Sequence, residues 1–152
     1  MSKILNLGCG KKPYKNAVNH DIVKHADYVD IVHDLNLMPW PFADEQFEAV
    51  YAFAVFEHLD PDLLTIINEA WRILQPGGRL SLKLPYWNSE NTYNDPTHRR
   101  GYGLGVLDQF DPDTERGKLY DFYTPRKWRI VKPPHLNNAG TSFHATLEKR
   151  GA

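Results

Sequence analysis

The sequence predicts an α/β protein built on a mostly parallel seven-stranded sheet that ends in a C-terminal antiparallel hairpin. Three observations carry this. A short apolar strand, Ile4-Leu5-Asn6-Leu7, runs straight into a glycine turn at Gly8 and Gly10, where the missing Cβ lets backbone approach a ligand. Acidic residues, Asp21 and Asp34, then follow the next two apolar runs, ahead of a fourth at 47–53. One strong helical pattern is stopped by Pro76-Gly77-Gly78 and feeds a fifth strand at 79–84.

The remaining elements follow in order. Residues 18–22 and 28–32 read as the second and third strands. Only residues 11–17, with Pro13 among them, separate the first strand from the second. A parallel crossover normally needs about a dozen residues, so the first helix is expected to be lost or reduced to one turn. The stretch Met38-Pro39-Trp40-Pro41-Phe42 opposes helix, because proline disfavours the helical conformation in the residue before it. Asp60-Pro61-Asp62 offers an N-cap, a proline for the first position and an acid for the helix dipole. Leu63, Ile66, Ile67, Ala70 and Leu74 then form an apolar stripe, with Asn68, Glu69 and Arg72 off it. Residues 85–125 are irregular, with a short helix expected near 104–110. Residues 127–132 and 142–149 read as two antiparallel strands joined by a Pro-Pro/Asn-Asn/Gly loop.

The outer strands alternate: Leu80, Leu82 and Leu84 oppose Ser81 and Lys83, and Phe143, Ala145 and Leu147 oppose His144 and Thr146. Parallel strands covered on both faces are usually apolar on both, so helix is expected on one face only. Ile4, Val50 and Ala52 are expected to point to the bare face. Aromatics such as Tyr102, Phe110, Tyr120, Phe122 and Tyr123, or a second copy of the chain, would then cover it, giving a monomer or a homodimer.

The chain has 152 residues, 41% hydrophobic and 24% charged, which suits one soluble globular domain over 1–152. No run approaches a membrane span and no signal peptide is visible at the N-terminus. The single cysteine, Cys9, forbids an internal disulfide, so a cytoplasmic location is expected. A cysteine-based zinc pattern is excluded for the same reason. His20, His25, His33, His135 and His144 show no ligand spacing, and no metal is expected. Residues 1–75 carry 6 Lys/Arg against 11 Asp/Glu, whereas 76–152 carry 12 against 8. That asymmetry is either chance clustering on a wet surface or the mark of a polyanionic partner.

Asn-Leu-Gly-Cys-Gly (6–10), His-Asp-Ile (20–22), Asp-Leu (34–35), Pro-Phe-Ala-Asp-Glu-Gln-Phe-Glu-Ala-Val (41–50), Phe-Glu-His-Leu (56–59) and Arg-Ile-Leu-Gln-Pro-Gly-Gly-Arg-Leu (72–80) resemble the successive motifs of small class I, Rossmann-like methyltransferases of type 11. The resemblance implies S-adenosyl-L-methionine as cofactor, residues 1–84 as the cofactor-binding half, 85–125 as the acceptor side and 126–152 as the hairpin. It implies that Gly8, Cys9 and Gly10 approach the methionine part. Asp21 would accept from the ribose hydroxyls, Ile22 would pack on adenine, and Asp34 would take the adenine amino hydrogen with Leu35 offering backbone. Ala52, Phe53 and Ala54 would border the transferable methyl. Asn6 stands where the family often has an acid, and it can still hydrogen-bond the amides of the turn. Lys12 replaces a third glycine.

Candidate catalytic residues are His58, His98 and Asp95. Glu57 and His58 either begin a helical segment or bring His58 to the methyl-transfer site as a base. His98 is either a base oriented by Asp95 or a loop brace. Tyr86 and Trp87 follow the fifth strand, where aromatics would stack on a flat acceptor or close the core. Arg99, Arg100, Arg116, Lys118, Arg126, Lys127, Arg129 and Lys132 suit phosphates, so the expected acceptor is nucleic acid, RNA before DNA. The alternatives are a small-molecule acceptor beneath residues 85–125 as a lid, or a cofactor-binding protein without turnover.

Overall fold

The computed structural model describes residues 3–151; residues 1, 2 and 152, the outer ends of the 1–152 reading, lie outside the described residues. The strands are β1 (Ile4–Leu7), β2 (Val18–Asp21), β3 (Ile31–Val32), β4 (Phe47–Phe53), β5 (Leu74–Pro85), β6 (Trp128–Leu136) and β7 (Ser142–Lys149). They form one sheet in the order β3-β2-β1-β4-β5-β7-β6. The first five run parallel, and the β6–β7 hairpin packs antiparallel against β5. The strand order reverses between β1 and β4, and crevices for ligands open at the carboxyl ends of strands flanking such a reversal. This is a minimal α/β Rossmann-like fold. No helix among the described residues is long and apolar enough to cross a membrane.

The first crossover contains no helix, as its length dictates. The chain instead turns tightly, with the Lys12 N–H on the Cys9 carbonyl and the Cys9 N–H on the His20 carbonyl. β3 is shorter than the expected 28–32. Residues 27–28 turn instead, with the Val29 N–H on the Ala26 carbonyl and the Tyr28 hydroxyl on the Gly10 carbonyl at 2.7 Å. Asp30 reaches β2 through its N–H on the Asn19 carbonyl and its side chain on the Asn19 N–H.

Helix α1 (Leu63–Ile73) begins two residues later than the Asp60 reading implies, because Asp62 is the N-cap and accepts from the Thr65 N–H at 2.8 Å. It also ends one residue earlier than the stripe suggests. Leu74 is already extended and pairs with Phe47; the ladder resumes at Ala49 and Arg79, after an irregularity around Pro76-Gly77-Gly78. Gly77 supplies the φ of +79° needed there. Short helices α2 (Asn91–Asn94) and α3 (Glu115–Leu119), with single 3₁₀ turns at Asp108–Phe110 and Asp121–Tyr123, punctuate the irregular segment. The helix expected over 104–110 is only the last of these residues. β6 passes through Pro133-Pro134 with register shifts, which is tolerated because it is the sheet's edge.

The core lies between α1 and one sheet face. Ile66, Ile67, Ala70 and Ile73 meet Leu5, Leu7, Val50, Ala52, Leu80 and Leu82, all essentially inaccessible. Val50 and Ala52 therefore sit on the covered face, not the bare one. The register decides this, because Val50 pairs with Leu80 and Ala52 with Leu82. Tyr102 and Phe110 join the same core, while Phe122 and Tyr123 remain exposed. The bare face is partly polar, with Ser81 and Thr146 hydroxyls 3.1 Å apart. It carries a row of rings in which Tyr14 meets Tyr51, Tyr51 stacks on Phe53, and Phe53 meets His144.

Glu69, expected off the apolar stripe, is buried. Its carboxylate takes a two-pronged ion pair from Arg72, at 2.8 Å on each oxygen, and also accepts the Trp40 N–H. The same guanidinium donates to the carbonyls of Phe42 and Trp40 and to Asp44. The proline-broken loop after β3 is thereby fastened to α1, and these contacts hold the Arg72 pKa above its ordinary value, hydrogen bonds from Glu69 first. Removing one partner of a buried pair strands the other's charge. Arg72→Met should cost about 3–5 kcal/mol in urea unfolding, and adding Glu69→Met should restore part of it. A loss within the ±0.5 kcal/mol typical of surface substitutions would show that the loop is held otherwise.

Candidate functional site

Two clefts open at the carboxyl ends of β1, β2, β4 and β5, and they share one wall, Ala54. The first, of about 260 Å³, includes Gly8, Asp21, Ile22, Asp34, Leu35 and Ala54 among its lining residues. It also includes His20, His33, Asn36 and His58, of which His20 and His58 fall within motifs visible in the sequence. The second, of about 560 Å³, includes Glu57, Lys83, Asn91, Asn94, Asp95 and His98, with Ser142 from β7.

The glycine turn is the floor of the first cleft. Gly8 has φ +59°, and a Cβ there would lie 2.6 Å from the Val55 side chain, so any larger residue would push the following turn outward. Asn6, Cys9 and Gly10 lie beneath and beside this floor. Asn6 is buried and does not accept from turn amides; its Nδ2 donates to the Lys12 carbonyl and to Asn19 Oδ1. Cys9 is a buried free thiol. Gly10 donates its N–H to Asp21 Oδ2 at 2.9 Å.

Asp21 ends β2 and takes the Ile22 N–H on its other oxygen at 2.8 Å, with His25 Nε2 3.1 Å from Oδ2. Burial raises its pKa, but these amide and imidazole donors outweigh that and hold the carboxyl below its usual range. Oδ2 is filled by Gly10 and His25, whereas Oδ1 keeps a further acceptor lone pair for a ligand hydroxyl. Ile22 is 57% exposed at the lip of the cleft, an apolar surface available to a flat ring. Asp34 spends Oδ1 on the Asn36 N–H. The Leu35 carbonyl is already taken by the Trp40 indole N–H at 3.0 Å. These groups fit a nucleoside carrying a diol. Ala52 and Phe53 do not border the cleft. Alternation sends Ala52 into the core and Phe53 to the bare face beside Tyr51.

Ala54 follows β4 with φ +59°, in the left-handed region that residues with a Cβ seldom occupy. Strain of this kind collects at ligand sites. The 3₁₀ turn Phe56–His58 comes next and sends consecutive side chains to different clefts: His58 to the first, Glu57 to the second. Burial pushes the Glu57 carboxyl up, and it pushes the His58 imidazole down.

The fold brings His58, His98 and Asp95 together. The two rings meet edge-on with centroids 4.8 Å apart, and Asp95 Oδ2 lies 3.6 Å from His98 Nε2. Thr97, from the same Asp-Pro-Thr-His-Arg-Arg run (95–100), links them, since its hydroxyl donates to Asp95 and contacts His58 Nδ1. Tyr86 packs against the core, and Trp87 is largely exposed; neither lines the second cleft.

His20 braces the whole floor. It is 2% exposed, its Nδ1 accepts the Gly8 N–H at 3.1 Å, and its Nε2–H donates to the His33 carbonyl at 2.8 Å. The ring is neutral with the proton on Nε2, and burial depresses its pKa.

A family model described as a methyltransferase domain matches residues 11–82. The chain is 30% identical over 122 residues to sterol 24-C-methyltransferase erg6 of Aspergillus fumigatus, a match covering 64% of this chain and 32% of that one. It thus spans about a third of that relative's length. A SAM-dependent methyltransferase from Archaeoglobus fulgidus superposes with a TM-score of 0.66 at 14% identity, over 97% of this chain and 86% of that one. The [4+2]-cyclase SpnF has the same TM-score at 11% identity, over 98% and 74%. At these identities the likeness is one of fold.

The His20 brace makes the floor pH-sensitive. Its depressed pKa means that the unfolded chain takes up the proton first, so this contribution is complete above the ordinary value of 6.5 and is lost as pH falls through the depressed one. Urea midpoints of the wild type should drop more steeply between pH 6.5 and 5 than those of His20→Gln, which cannot titrate. Parallel curves would rule the brace out.

Proposed function

We propose that this chain, a member of the class I Rossmann-like S-adenosylmethionine-dependent methyltransferases, methylates a small polar acceptor held in the second cleft. The observation that carries this reading is the pair of clefts meeting at Ala54, one suited to a nucleoside and the other lined by polar side chains. S-adenosyl-L-methionine supplies an electrophilic methyl group on a sulfonium when bound. The residues that would hold it are Gly8 at the turn, Asp21 on the ribose, Ile22 against adenine and Asp34 on the adenine edge. Asn6, Cys9 and Gly10 act by shaping the turn.

The chain's own contribution is orientation. Placing the acceptor atom in line at the Ala54 wall replaces a bimolecular encounter, and such positioning is the largest lever available to this chemistry. Lys83, Asn91, Asn94 and Ser142 offer hydrogen bonds to fix the acceptor, and His98 lines the same cleft, with His58 in the adjoining one, as the imidazoles nearest its proton.

Nucleic acid as acceptor draws less support, because five of the eight basic residues that suggested it are engaged within the fold. Arg99 pairs with Asp60, and Arg100 donates to the carbonyls of Pro61 and Asp60. Arg126 bonds the Asn68 carbonyl and lies over Trp71, Lys127 donates to Asp121, and Arg129 faces Glu148. The polar lining equally suits a smaller, more polar acceptor than a sterol. A reducing compartment such as the cytoplasm suits the lone buried Cys9.

Calorimetry should show S-adenosylmethionine binding to the wild type, weakened by Asp21→Ala about tenfold or more, since a hydrogen bond to a charged group is worth about 1.5–3 kcal/mol. Tritium from labelled cofactor should pass to the small-molecule fraction of a cell extract. Transfer into RNA would restore the nucleic-acid reading, and binding without any transfer would make the chain a cofactor-binding protein.

A further inference from the structure

Sequence spacing gives no reason to expect a metal, but the fold gathers ligands that spacing cannot connect. Glu57 and His58 come from the turn after β4, and His98 comes from the segment after α2. One ligand atom from each lies within 4.8 Å of the other two. The juxtaposition is built, not incidental. The Arg99 N–H donates to the Glu57 carbonyl at 2.7 Å, Arg99 Nε pairs with Asp60 at 2.9 Å, and Arg100 grips the carbonyls ahead of α1.

Hydrogen-bond logic settles where the lone pairs are. His98 Nδ1 is 2.7 Å from the Thr92 carbonyl. A carbonyl only accepts, so Nδ1 carries the proton and Nε2 of the neutral ring carries the lone pair. The Thr97 hydroxyl gives its proton to Asp95 Oδ1 at 2.7 Å, so it accepts from His58 Nδ1–H at 2.8 Å. His58 Nε2 is therefore also a lone pair. Asp95 Oδ2, 3.6 Å from His98 Nε2, is too far for a hydrogen bond. In the same cluster, with one ring nitrogen of each histidine and one carboxylate oxygen within 4.8 Å of one another, sits Glu57, 2% exposed, whose Oε1 has no hydrogen-bond partner among the described residues. A buried, unpartnered carboxyl oxygen and two imidazole nitrogens with lone pairs are thus gathered in one place. Such a group calls for a cation.

We propose that Glu57, His58 and His98 are the protein ligands of a divalent first-row transition-metal ion of the zinc class. Two imidazoles and one carboxylate are a borderline-hard donor set, suited to zinc, cobalt(II), iron(II) or manganese(II) rather than to calcium or magnesium. Bonds of about 2.0–2.2 Å put tetrahedral ligands about 3.4 Å apart, so the three donors close in by side-chain rotation. Both histidines already have the outer hydrogen bond that orients a ligating imidazole, to a carbonyl in one case and through Thr97 to a carboxylate in the other. Three protein ligands leave coordination positions open, and Glu57 and His98 both line the second cleft. The open positions would take an oxygen-bearing acceptor, a hydroxyl or carboxylate; this last clause rests on the proposed function, whereas metal binding does not.

The test uses the full chain stripped with chelator and dialysed. Titration with Co²⁺ should give visible d–d absorption saturating at one equivalent, and Zn²⁺ should displace it. Glu57→Gln and His98→Gln should each weaken Zn²⁺ binding by at least 100-fold, with circular dichroism confirming the fold. Thr97→Val, which removes no ligand, should weaken it about 10- to 100-fold, and His135→Gln should leave it unchanged. Wild type that binds neither ion at micromolar concentration overturns the proposal, as does binding indifferent to Glu57→Gln and His98→Gln. S-adenosylmethionine calorimetry on the same samples separates the readings: metal without cofactor binding sinks the proposed function alone, and cofactor without metal sinks this site alone.

Discussion

The interaction on which the rest of the structure depends is the fork of Arg72 on Glu69. It fastens the loop after β3 to α1, and from it a chain of directional contacts runs to both clefts. Glu69 takes the Trp40 N–H, and the Trp40 indole holds the Leu35 carbonyl. The neighbouring Asn36 accepts the Asp60 N–H, Asp60 pairs with Arg99, and Arg99 holds the Glu57 carbonyl. Without a helix in the first crossover, these polar links do what packed helices do in larger α/β domains. They are few and mostly hydrogen-bonded, so each carries a larger share of the positioning.

The same economy explains the strain at the centre of the site. β4 must end where its chain turns to form the common wall of both clefts, and Ala54 accepts a left-handed conformation to do so. Gly8 opposite has no Cβ because Val55, the next residue along, already fills that space. His20 then ties the glycine floor to the start of the β3 loop. Three elements thus meet at the first cleft with little backbone freedom between them, and pre-organisation of this kind lowers the cost of binding.

Losing the early helices also exposes one sheet face, which carries hydroxyls, Lys83 and His144 beside its aromatic row. The C-terminal basic residues show a related effect. A surplus of positive charge looks in one dimension like an invitation to phosphate. In the fold, most of these side chains satisfy carbonyls and carboxylates left bare by short helices and irregular loops. Lys149 is the extreme case: it is buried, bonds the carbonyls of Trp71 and Leu74 at the end of α1, and lies over the Trp71 ring.

The sequence by itself determined the sheet, its single strong helix, the missing first crossover helix and the glycine–acid series. All of these are local: strand alternation, helical periodicity and a loop too short for a crossover are written within a few residues of one another. The ends of elements were less legible, because tertiary contacts chose them. Asp62 outcompeted Asp60 as the cap, and Leu74 joined the ladder opposite Phe47. Which face Val50 and Ala52 take was decided by register with Leu80 and Leu82, which no single strand records. Only the tertiary structure placed Glu57 and His58 against His98, because their proximity depends on the Arg99 and Arg100 contacts that fold residues 95–100 back onto the turn after β4. Forty positions of chain separate those histidines, and it is the strap across them, invisible to any spacing rule, that gathers Glu57 and the two candidate histidines into one cluster.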